Sequence, residues 1–297
     1  MPCEPRVLVT GGSGFIGRWV VRALLAEGYQ VTVAGYQPFP DPAVRSATGD
    51  LRDRSVCESA VTDDTSAIIH LAGITSIRKS VDDPVATRLV NVDVTARLLE
   101  LARENSVGAF LLASTNAVTG DVGHAVITED TVLRPLTPYG ATKAAAEMLV
   151  SSYASCYGIR GVSMRFSNVY GPGMDGKDGL IARLMRAARD GRGVSVRGGL
   201  MRDFVHVDDL VRGILAVLRS SHSGPVILGS GNSVSVADVV QAAREVTGAP
   251  IPVTHLPADD GEMPAVILDI SLARSLGHDP QMTLLEGLKT VWPEFRP

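Results

Sequence analysis

Apolar and polar positions follow two different periods along the first part of the chain. Short β-branched and aliphatic runs predict strands, whereas apolar residues spaced three and four apart predict helices. The predicted strands are 6–10, 30–34, 67–71, 109–114 and 161–166, and the predicted helices are one ending near Gly28 and two longer ones at about 84–106 and 138–157. Strands and helices that alternate in this way are typical of a parallel sheet covered by helices.

Beyond Gly171 the pattern loosens into shorter elements. Glycine and proline separate these elements, as in Gly171-Pro172-Gly173 and Ala249-Pro250, and both residue types mark turns and loops. We interpret this part of the chain as a second, smaller lobe.

Composition narrows the class of protein without identifying a function. The 297 residues are 45% hydrophobic and 20% charged, which is typical of a globular protein. A net charge of -4 gives no general attraction to nucleic acids or anionic membranes. Because the N-terminus lacks a signal-peptide pattern and no run of about 18 apolar residues occurs, we expect a cytoplasmic protein with no membrane partner.

The cysteines argue against a disulfide framework or a zinc-thiolate site. Cys3, Cys57 and Cys156 are odd in number, far apart in sequence and form no CxxC pair. We therefore expect free thiols and no metal.

The first chemical signal is a glycine-rich segment where the first predicted strand turns into the first helix. It reads Thr10-Gly11-Gly12-Ser13-Gly14-Phe15-Ile16-Gly17. Glycines at such a turn let the backbone approach a pyrophosphate, whose charge is stabilised by the N–H groups and the positive dipole end of the helix. This position favours a dinucleotide-binding turn over an ordinary glycine-rich loop.

The second signal is Tyr139 and Lys143, four residues apart in a predicted helix that Pro138 begins. This spacing places the phenol and the ammonium on one face of the helix. A phenol titrates near pH ~10, so it requires an adjacent cation to act as an acid and a base near neutrality. Lys143 can supply that charge, although the same pair also occurs on solvated helix surfaces.

The chain contains eight motifs, which in chain order are Thr10-Gly11-x-x-Gly14-x-x-Gly17, Gly49-Asp50-Leu51-Arg52-Asp53, His70-Leu71-Ala72-Gly73, Asn91-Val92, Ser114-Thr115, Tyr139-x-x-x-Lys143, Arg165-Phe166-Ser167-Asn168-Val169-Tyr170-Gly171-Pro172-Gly173 and Arg202-Asp203-Phe204-Val205-His206-Val207-Asp208-Asp209. In this order they resemble the motifs of the extended short-chain dehydrogenase/reductases, in their nucleotide-sugar epimerase, dehydratase and reductase branch. The resemblance covers almost the whole chain.

The resemblance implies an α/β fold, with a Rossmann-like, doubly wound parallel sheet and a smaller C-terminal α/β substrate lobe. It implies an NAD(P)-binding domain over 1–170 and about 204–229, and a substrate-binding lobe over 171–203 and about 230–297. Members of the family often dimerise through their two long helices, so we expect a homodimer.

The resemblance also implies a nicotinamide dinucleotide cofactor and the residues that bind it. The assigned residues are Gly11, Gly14, Phe15, Ile16 and Gly17 at the diphosphate, Asp50 and Leu51 at the adenine, Leu71, Ala72 and Gly73 along the path to the nicotinamide, and Phe166, Asn168 and Val169 at its reactive end. Tyr139 and Lys143 complete this set, because Lys143 is expected to hold the ribose.

For catalysis, the resemblance assigns Thr115, Tyr139 and Lys143. Tyr139 exchanges a proton with a substrate oxygen, Thr115 hydrogen-bonds that oxygen, and Lys143 lowers the phenol pKa. Asn168 and Arg202 are assigned to the substrate, and the guanidinium of Arg202 suits a diphosphate.

Three departures from the family pattern bear on specificity. The second strand ends at Gly35 instead of an acid that would bind the ribose hydroxyls, so we expect NADP(H) slightly more than NAD(H), with a more distant cation such as Arg45 at the 2′-phosphate. Asn116 and Ala117 replace the Asp-Glu pair of sugar dehydratases, which argues against dehydration. Asp259 replaces an arginine that pairs with the substrate diphosphate.

We therefore predict a reductase of a keto group on a nucleotide-linked deoxysugar, with Tyr139 as the general acid. Three alternatives stay open. They are a UDP- or dTDP-hexose epimerase that retains NAD, an enzyme for a ketone or alcohol that is not nucleotide-linked, and a dinucleotide sensor with an idle triad. The missing acid at the second strand makes tight retention of NAD less expected, which places the epimerase second.

Overall fold

The structure, a computed structural model, describes residues 5–257 and 263–296. Its strands are β1 Arg6–Thr10, β2 Gln30–Gly35, β3 Arg45–Thr48, β4 Thr65–His70, β5 Ala109–Thr115, β6 Val126–Ile127, β7 Arg160–Phe166, β8 Asn168–Tyr170, β9 Val194–Arg197, β10 Met201–His206, β11 Gly224–Leu228, β12 Ser233–Ser235, β13 Val253–Leu256 and β14 Ile267–Leu268. Its helices are α1 Phe15–Ala26, α2 Arg54–Ala60, α3 Ile77–Asp82, α4 Pro84–Arg88, α5 Val94–Glu104, α6 Pro138–Tyr157, α7 Leu180–Asp190, α8 Val207–Arg219, α9 Val236–Thr247, α10 Ser271–Ser275 and α11 Leu284–Val291.

The chain divides into two compact units, of which the first contains a seven-stranded sheet. This unit comprises the described residues up to Gly120, Val132–Phe166 and Ile214–Val226. The strand order is β11-β7-β5-β4-β1-β2-β3, and the pairs from β7 to β3 are parallel. Because β1 lies between β2 and β4, the strand order reverses there, and such a reversal opens a ligand crevice at the carboxyl ends of the strands.

The central strands are buried on both faces, which explains their continuous apolar runs. Leu8 of β1, Ile68 of β4 and Leu111 of β5 have no exposed surface. The edge strand β3 is largely polar and buries only Ala47, so its sequence carries no strand pattern and it was not predicted. The predicted parallel α/β sheet is confirmed.

The two long predicted helices form, and one contains an unpredicted irregularity. Thr137 caps α6 by accepting a hydrogen bond from Gly140 N–H, and the helix stops at Gly158, whose φ of 71° suits glycine. The helical stretch that begins at Pro84 contains a π-helical turn at Leu89–Asp93 between α4 and α5. Apolar periodicity does not distinguish one π turn from continuous α-helix.

The second unit comprises Asp121–Thr131, Ser167–Gly213 and the described residues from Ile227 onward. It contains a three-stranded sheet, β12-β10-β8, and the strand pairs β13-β9 and β14-β6. Buried Asp203 organises its centre, because the carboxylate accepts hydrogen bonds from the N–H of Ser230 and of Asn232. The domain boundaries predicted from the sequence stay a prediction.

Across the described residues, no helix combines the length and the apolar character needed to cross a bilayer.

Candidate active site

Four neighbouring strands end at one edge of the sheet with residues of the predicted site. β1 ends at Thr10 before the glycine turn, β4 ends at His70 before residues 71–73, and β5 ends at Thr115. Phe166, the last residue of β7, lies opposite Thr115 in register. Because the strands are parallel, these carboxyl ends gather segments that are far apart in sequence.

The turn after β1 requires glycine at two positions. Gly11 has a φ of 68°, and a Cβ added to it would lie 2.9 Å from the backbone nitrogen of Ala72. A Cβ added to Gly17 would overlap the carbonyl oxygen of Gly11. The turn is closed by a hydrogen bond of 2.9 Å from Gly14 N–H to the same carbonyl. Side chains at either glycine would therefore separate the turn from α1.

The beginning of α1 fits an anionic ligand. Phe15 and Ile16 are its first residues, no side chain caps the helix at Gly14, and the first turn contains no acidic residue. Helix N-termini of this kind present N–H groups and a positive dipole end to an anion. The glycine turn therefore fits the diphosphate of a dinucleotide.

The predicted adenine contacts follow the carboxyl end of β3. The Asp50 carboxylate accepts hydrogen bonds from Arg52 Nε at 2.9 Å and Nη2 at 2.6 Å, and this guanidinium lowers the pKa of Asp50. Leu51 is buried, and its carbonyl accepts a hydrogen bond of 3.1 Å from Arg97 Nη1. Arg45, in contrast, begins β3 opposite Thr32. The expectation that Arg45 reaches a 2′-phosphate is therefore wrong, because it lies away from the carboxyl edge.

Residues 71–73, which follow β4, approach the glycine turn and Lys143. Ala72 N–H donates to Thr10 Oγ1 at 3.2 Å, and Leu71 N–H donates to the Thr10 carbonyl at 3.2 Å. A Cβ added to Gly73 would lie 3.2 Å from Lys143 Nζ. The segment therefore connects the predicted diphosphate loop with the predicted catalytic lysine.

Tyr139 and Thr115 lie near each other at the same edge. The Thr115 hydroxyl is close enough to the Tyr139 phenol to lower its pKa, and both residues are buried. Thr115 Oγ1 also accepts a hydrogen bond of 3.2 Å from Ala117 N–H. Burial raises the pKa of the Tyr139 phenol, and the nearby Thr115 hydroxyl partly offsets this effect. The pair can hold one oxygen atom of a ligand between two hydroxyl groups.

Lys143 is buried one helical turn from Tyr139. Its Nζ donates a hydrogen bond of 2.9 Å to the Ala113 carbonyl. Burial lowers the pKa of Lys143 to about 8, and the nearby Glu147 carboxylate acts in the opposite direction. The expected lowering of the phenol pKa by Lys143 does not appear, because desolvation of the buried Tyr139 dominates.

Asn91 belongs to one of the eight motifs, but it was not assigned a role from the sequence. It lies on the π-helical turn, where its Oδ1 accepts from Ile74 N–H at 2.8 Å and its Nδ2 donates to Thr142 Oγ1 at 3.1 Å. It thereby holds the segment after Gly73 against α6. The signal available in the sequence was an asparagine within the apolar run Leu89-Val90-Asn91-Val92.

The second unit contains the predicted substrate residues and Val169. Asn168 and Val169 lie in β8, opposite Phe204 and Val205 of β10. Asn168 Nδ2 donates a hydrogen bond of 2.9 Å to the Asp203 carbonyl, next to Arg202 in the same strand. Asn168 and Arg202 are therefore brought to neighbouring strands, whereas Asp259 lies outside the described residues.

Within residues 5–257 and 263–296, no group of three or more His, Cys, Asp or Glu side chains is arranged to hold a metal ion.

Comparisons with known proteins agree with this geometry. Residues 7–229 match the NAD dependent epimerase/dehydratase family. A putative UDP-glucose 4-epimerase of Methanocaldococcus jannaschii is 31% identical over 295 residues, which cover 96% of each chain. The UDP-glucose 4-epimerase of Thermus thermophilus, solved with NAD, has a TM-score of 0.91 and 32% identity, and that of Thermotoga maritima, solved with UDP-glucose, has a TM-score of 0.92 and 29% identity. Both alignments cover 98% of each chain.

Proposed function

Because this chain belongs to the NAD-dependent epimerase/dehydratase family, within the extended short-chain dehydrogenase/reductases, we propose that it is an NAD-dependent epimerase of a nucleoside diphosphate sugar. The observation that carries the proposal is the gathering of Thr115, Tyr139 and Lys143 beside the glycine turn. The relatives support epimerisation at C4 of a UDP-hexose, since several are named UDP-glucose 4-epimerases.

In this proposal one set of side chains serves both halves of the reaction. The phenolate form of Tyr139 accepts the proton of a sugar hydroxyl during oxidation, and the resulting phenol returns it to the ketone oxygen during reduction. Thr115 holds that oxygen, and Lys143 provides a positive charge one helical turn from Tyr139. The glycine turn would hold NAD, and the bound cofactor would supply the hydride acceptor for oxidation and the hydride donor for reduction. Protons and electrons therefore balance over one turnover without an external reductant.

Epimerase is a better supported function than the ketoreductase that the sequence motifs favoured. Several relatives at about 30% identity over nearly their whole length are named UDP-glucose 4-epimerases, so the alternative left second moves ahead. Dehydration has no support at the triad, because Asn116 and Ala117 follow Thr115 and neither carries a titratable group. A sugar dehydratase needs an additional acid and base there.

NAD is the proposed cofactor, and the expected preference for NADP has no support from the comparisons. The family is described as NAD dependent, and the T. thermophilus neighbour contains NAD. Gly35 lacks a carboxylate for the ribose, so other groups at the edge must bind it.

A second copy of this chain is the proposed protein partner. The exposed positions of α6, which include Ala141, Ala145, Met148 and Ser152, carry no charge, whereas both charged residues of this helix are buried. Exposed helix faces normally carry charged residues, so an uncharged face favours packing against another helix. The face therefore supports a homodimer built on α6.

The test is conversion of UDP-glucose by the purified protein with no added cofactor. We expect NAD to be released on denaturation and UDP-galactose to form up to its equilibrium level, as followed by proton NMR. The proposal fails if the protein instead consumes NADPH in stoichiometric reduction of a keto sugar and forms no epimer.

A further inference from the structure

Helix α6 and strand β5 are joined by three consecutive side-chain contacts, of which the catalytic proposal uses only two. Residues of α6 spaced by one turn meet neighbouring residues of β5, as Tyr139 with Thr115, Lys143 with the Ala113 carbonyl, and Glu147 with the Ser114 hydroxyl. The third contact lies one turn beyond Lys143 and has no part in the proposed proton transfer.

The Glu147 carboxylate is held from two strands. Ser114 Oγ donates to Glu147 Oε1, and Arg165 Nη2 donates to Oε2 at 2.9 Å. Arg165 Nε also donates to Oε1 at 3.1 Å, and Arg165 lies opposite Ser114 in register on β7. The side chains of Arg165 and Glu147 are only 4% and 3% exposed. This carboxylate is therefore fixed in position and desolvated.

The contribution of a buried ion pair to stability does not by itself explain why the pair is present. Desolvation of two charges costs several kcal/mol, which is roughly what their attraction returns. Apolar side chains at the same positions therefore often give equal stability. The place of this pair is more informative, because it lies one turn from a buried ammonium that also needs a counter-charge.

Among the groups packed around Lys143, Glu147 provides the negative charge that acts on the ammonium. From β4, His70 is neutral, since burial lowers its pKa to about 3. Asn91 carries no charge, Tyr139 is a neutral phenol below its raised pKa, and Arg165 on β7 is positive. Of these described neighbours, Glu147 is therefore the group that opposes the loss of the lysine proton.

We propose that Glu147 is a positioning residue that keeps the Lys143 ammonium charged and directed at the Ala113 carbonyl, while Ser114 and Arg165 hold the Glu147 carboxylate in place. The inference rests on the proposed role of Lys143 in proton transfer. In this arrangement Arg165 and Ser114 affect the reaction only through Glu147, and Glu147 only through Lys143.

The experiment measures the ionisation of Lys143 directly, without turnover. The chain has only four lysines, so spectra of protein labelled with [ε-13C]lysine are simple, and Lys143→Met assigns the signal. We expect a Lys143 midpoint near the value of about 8 in the wild type. Glu147→Gln should lower the midpoint by about one pH unit or more, the effect of removing an adjacent opposite charge. Glu100→Gln, which removes another arginine-paired glutamate from an exposed site, should leave it unchanged.

A double variant separates this role from a structural one. Glu147→Gln alone leaves Arg165 buried without the Glu147 carboxylate, whereas Glu147→Gln with Arg165→Gln removes both charges and should recover the melting temperature. If the Lys143 midpoint stays low in the folded double variant, the inference holds. If it returns to the wild-type value, or never moves, Glu147 is only structural and the inference is overturned. An absence of epimerase activity would overturn the proposed function but not this titration.

Discussion

At the residue scale, Tyr139 provides the sharpest test of the chemistry. Tyr139→Phe keeps the buried ring and removes the hydroxyl that lies near Thr115. We expect turnover to decrease by ~100-fold or more, the effect of losing a positioned acid and base, with bound NAD retained. Tyr153→Phe is the matched control, because its hydroxyl bonds Glu100 at 3.0 Å on the neighbouring helix. Near-normal epimerisation by Tyr139→Phe would show that another group transfers the proton.

His70 lies between Thr10 of β1 and Thr95 of α5, and its burial predicts that stability depends on pH. Its Nδ1 lies 2.6 Å from Thr10 Oγ1, and its Nε2 lies 3.1 Å from Thr95 Oγ1. Burial lowers the pKa of His70 from 6.5 to about 3, so below pH 6.5 the unfolded chain binds a proton that the folded chain does not. Stability is therefore lost as the pH decreases from about 6.5 toward about 3.

The predicted contribution of His70 is about 2 kcal/mol of unfolding free energy lost between about pH 7.5 and pH 5. His70→Gln should lower stability at neutral pH but lose less on acidification, by about that amount. Urea unfolding at both pH values measures the difference. The exposed His124, replaced by Gln, is the control and should keep the wild-type dependence. If His70→Gln loses as much unfolding free energy on acidification as the wild type, His70 is protonated in the folded state.

Arg202 tests the substrate class. A charge-assisted contact with a diphosphate contributes ~1.5 to 3 kcal/mol, so Arg202→Ala should raise KM for a UDP-sugar by roughly 10- to 150-fold. NAD content should not change. Arg189→Ala, which removes an arginine paired with Asp190 at 2.7 Å, should leave KM unaffected. If Arg202→Ala leaves KM unchanged, as Arg189→Ala should, and UDP does not inhibit, then Arg202 does not bind a substrate diphosphate.

At the element scale, the strand-to-helix turn between β1 and α1 depends on the close approach of Gly17 to Gly11. Gly17→Ala places a methyl group against the Gly11 carbonyl, and such overpacking costs ~1 to 3 kcal/mol. We expect a lower melting temperature and at least about tenfold weaker NAD binding by calorimetry. Gly176→Ala is the control, since an added Cβ there has nothing within 4 Å. Unchanged NAD affinity in Gly17→Ala would show that the diphosphate binds elsewhere.

At the scale of the whole molecule, the uncharged face of α6 predicts a homodimer. Met148 is 56% exposed on that face, and a carboxylate buried in a helix interface without a partner is strongly unfavourable. Met148→Glu should therefore convert a dimer into a monomer by light scattering. Leu256→Glu, at an exposed position of β13, should not. A monomeric wild type would contradict the proposed partner.

Features confined to one segment of chain were determined by the sequence alone. Tyr139 and Lys143 share a face because one helix contains both, and α6 has the predicted bounds. The glycine turn likewise lies between adjacent elements, β1 and α1. The alternation of strands with helices is also a property of the sequence, and in a parallel sheet it is sufficient to bring these segments to one edge.

Contacts between distant segments were decided only by the tertiary structure. Ser114, Glu147 and Arg165 come from three elements, and local periodicity carries no information about which buried charges meet. Arg45 was misplaced because strand register, which sets the end of β3 that it occupies, depends on pairing with β2. Lys143 was expected to lower the pKa of Tyr139, but burial raises that pKa, and burial also lowers the pKa of Lys143. Burial is a property of the packed fold rather than of residue spacing.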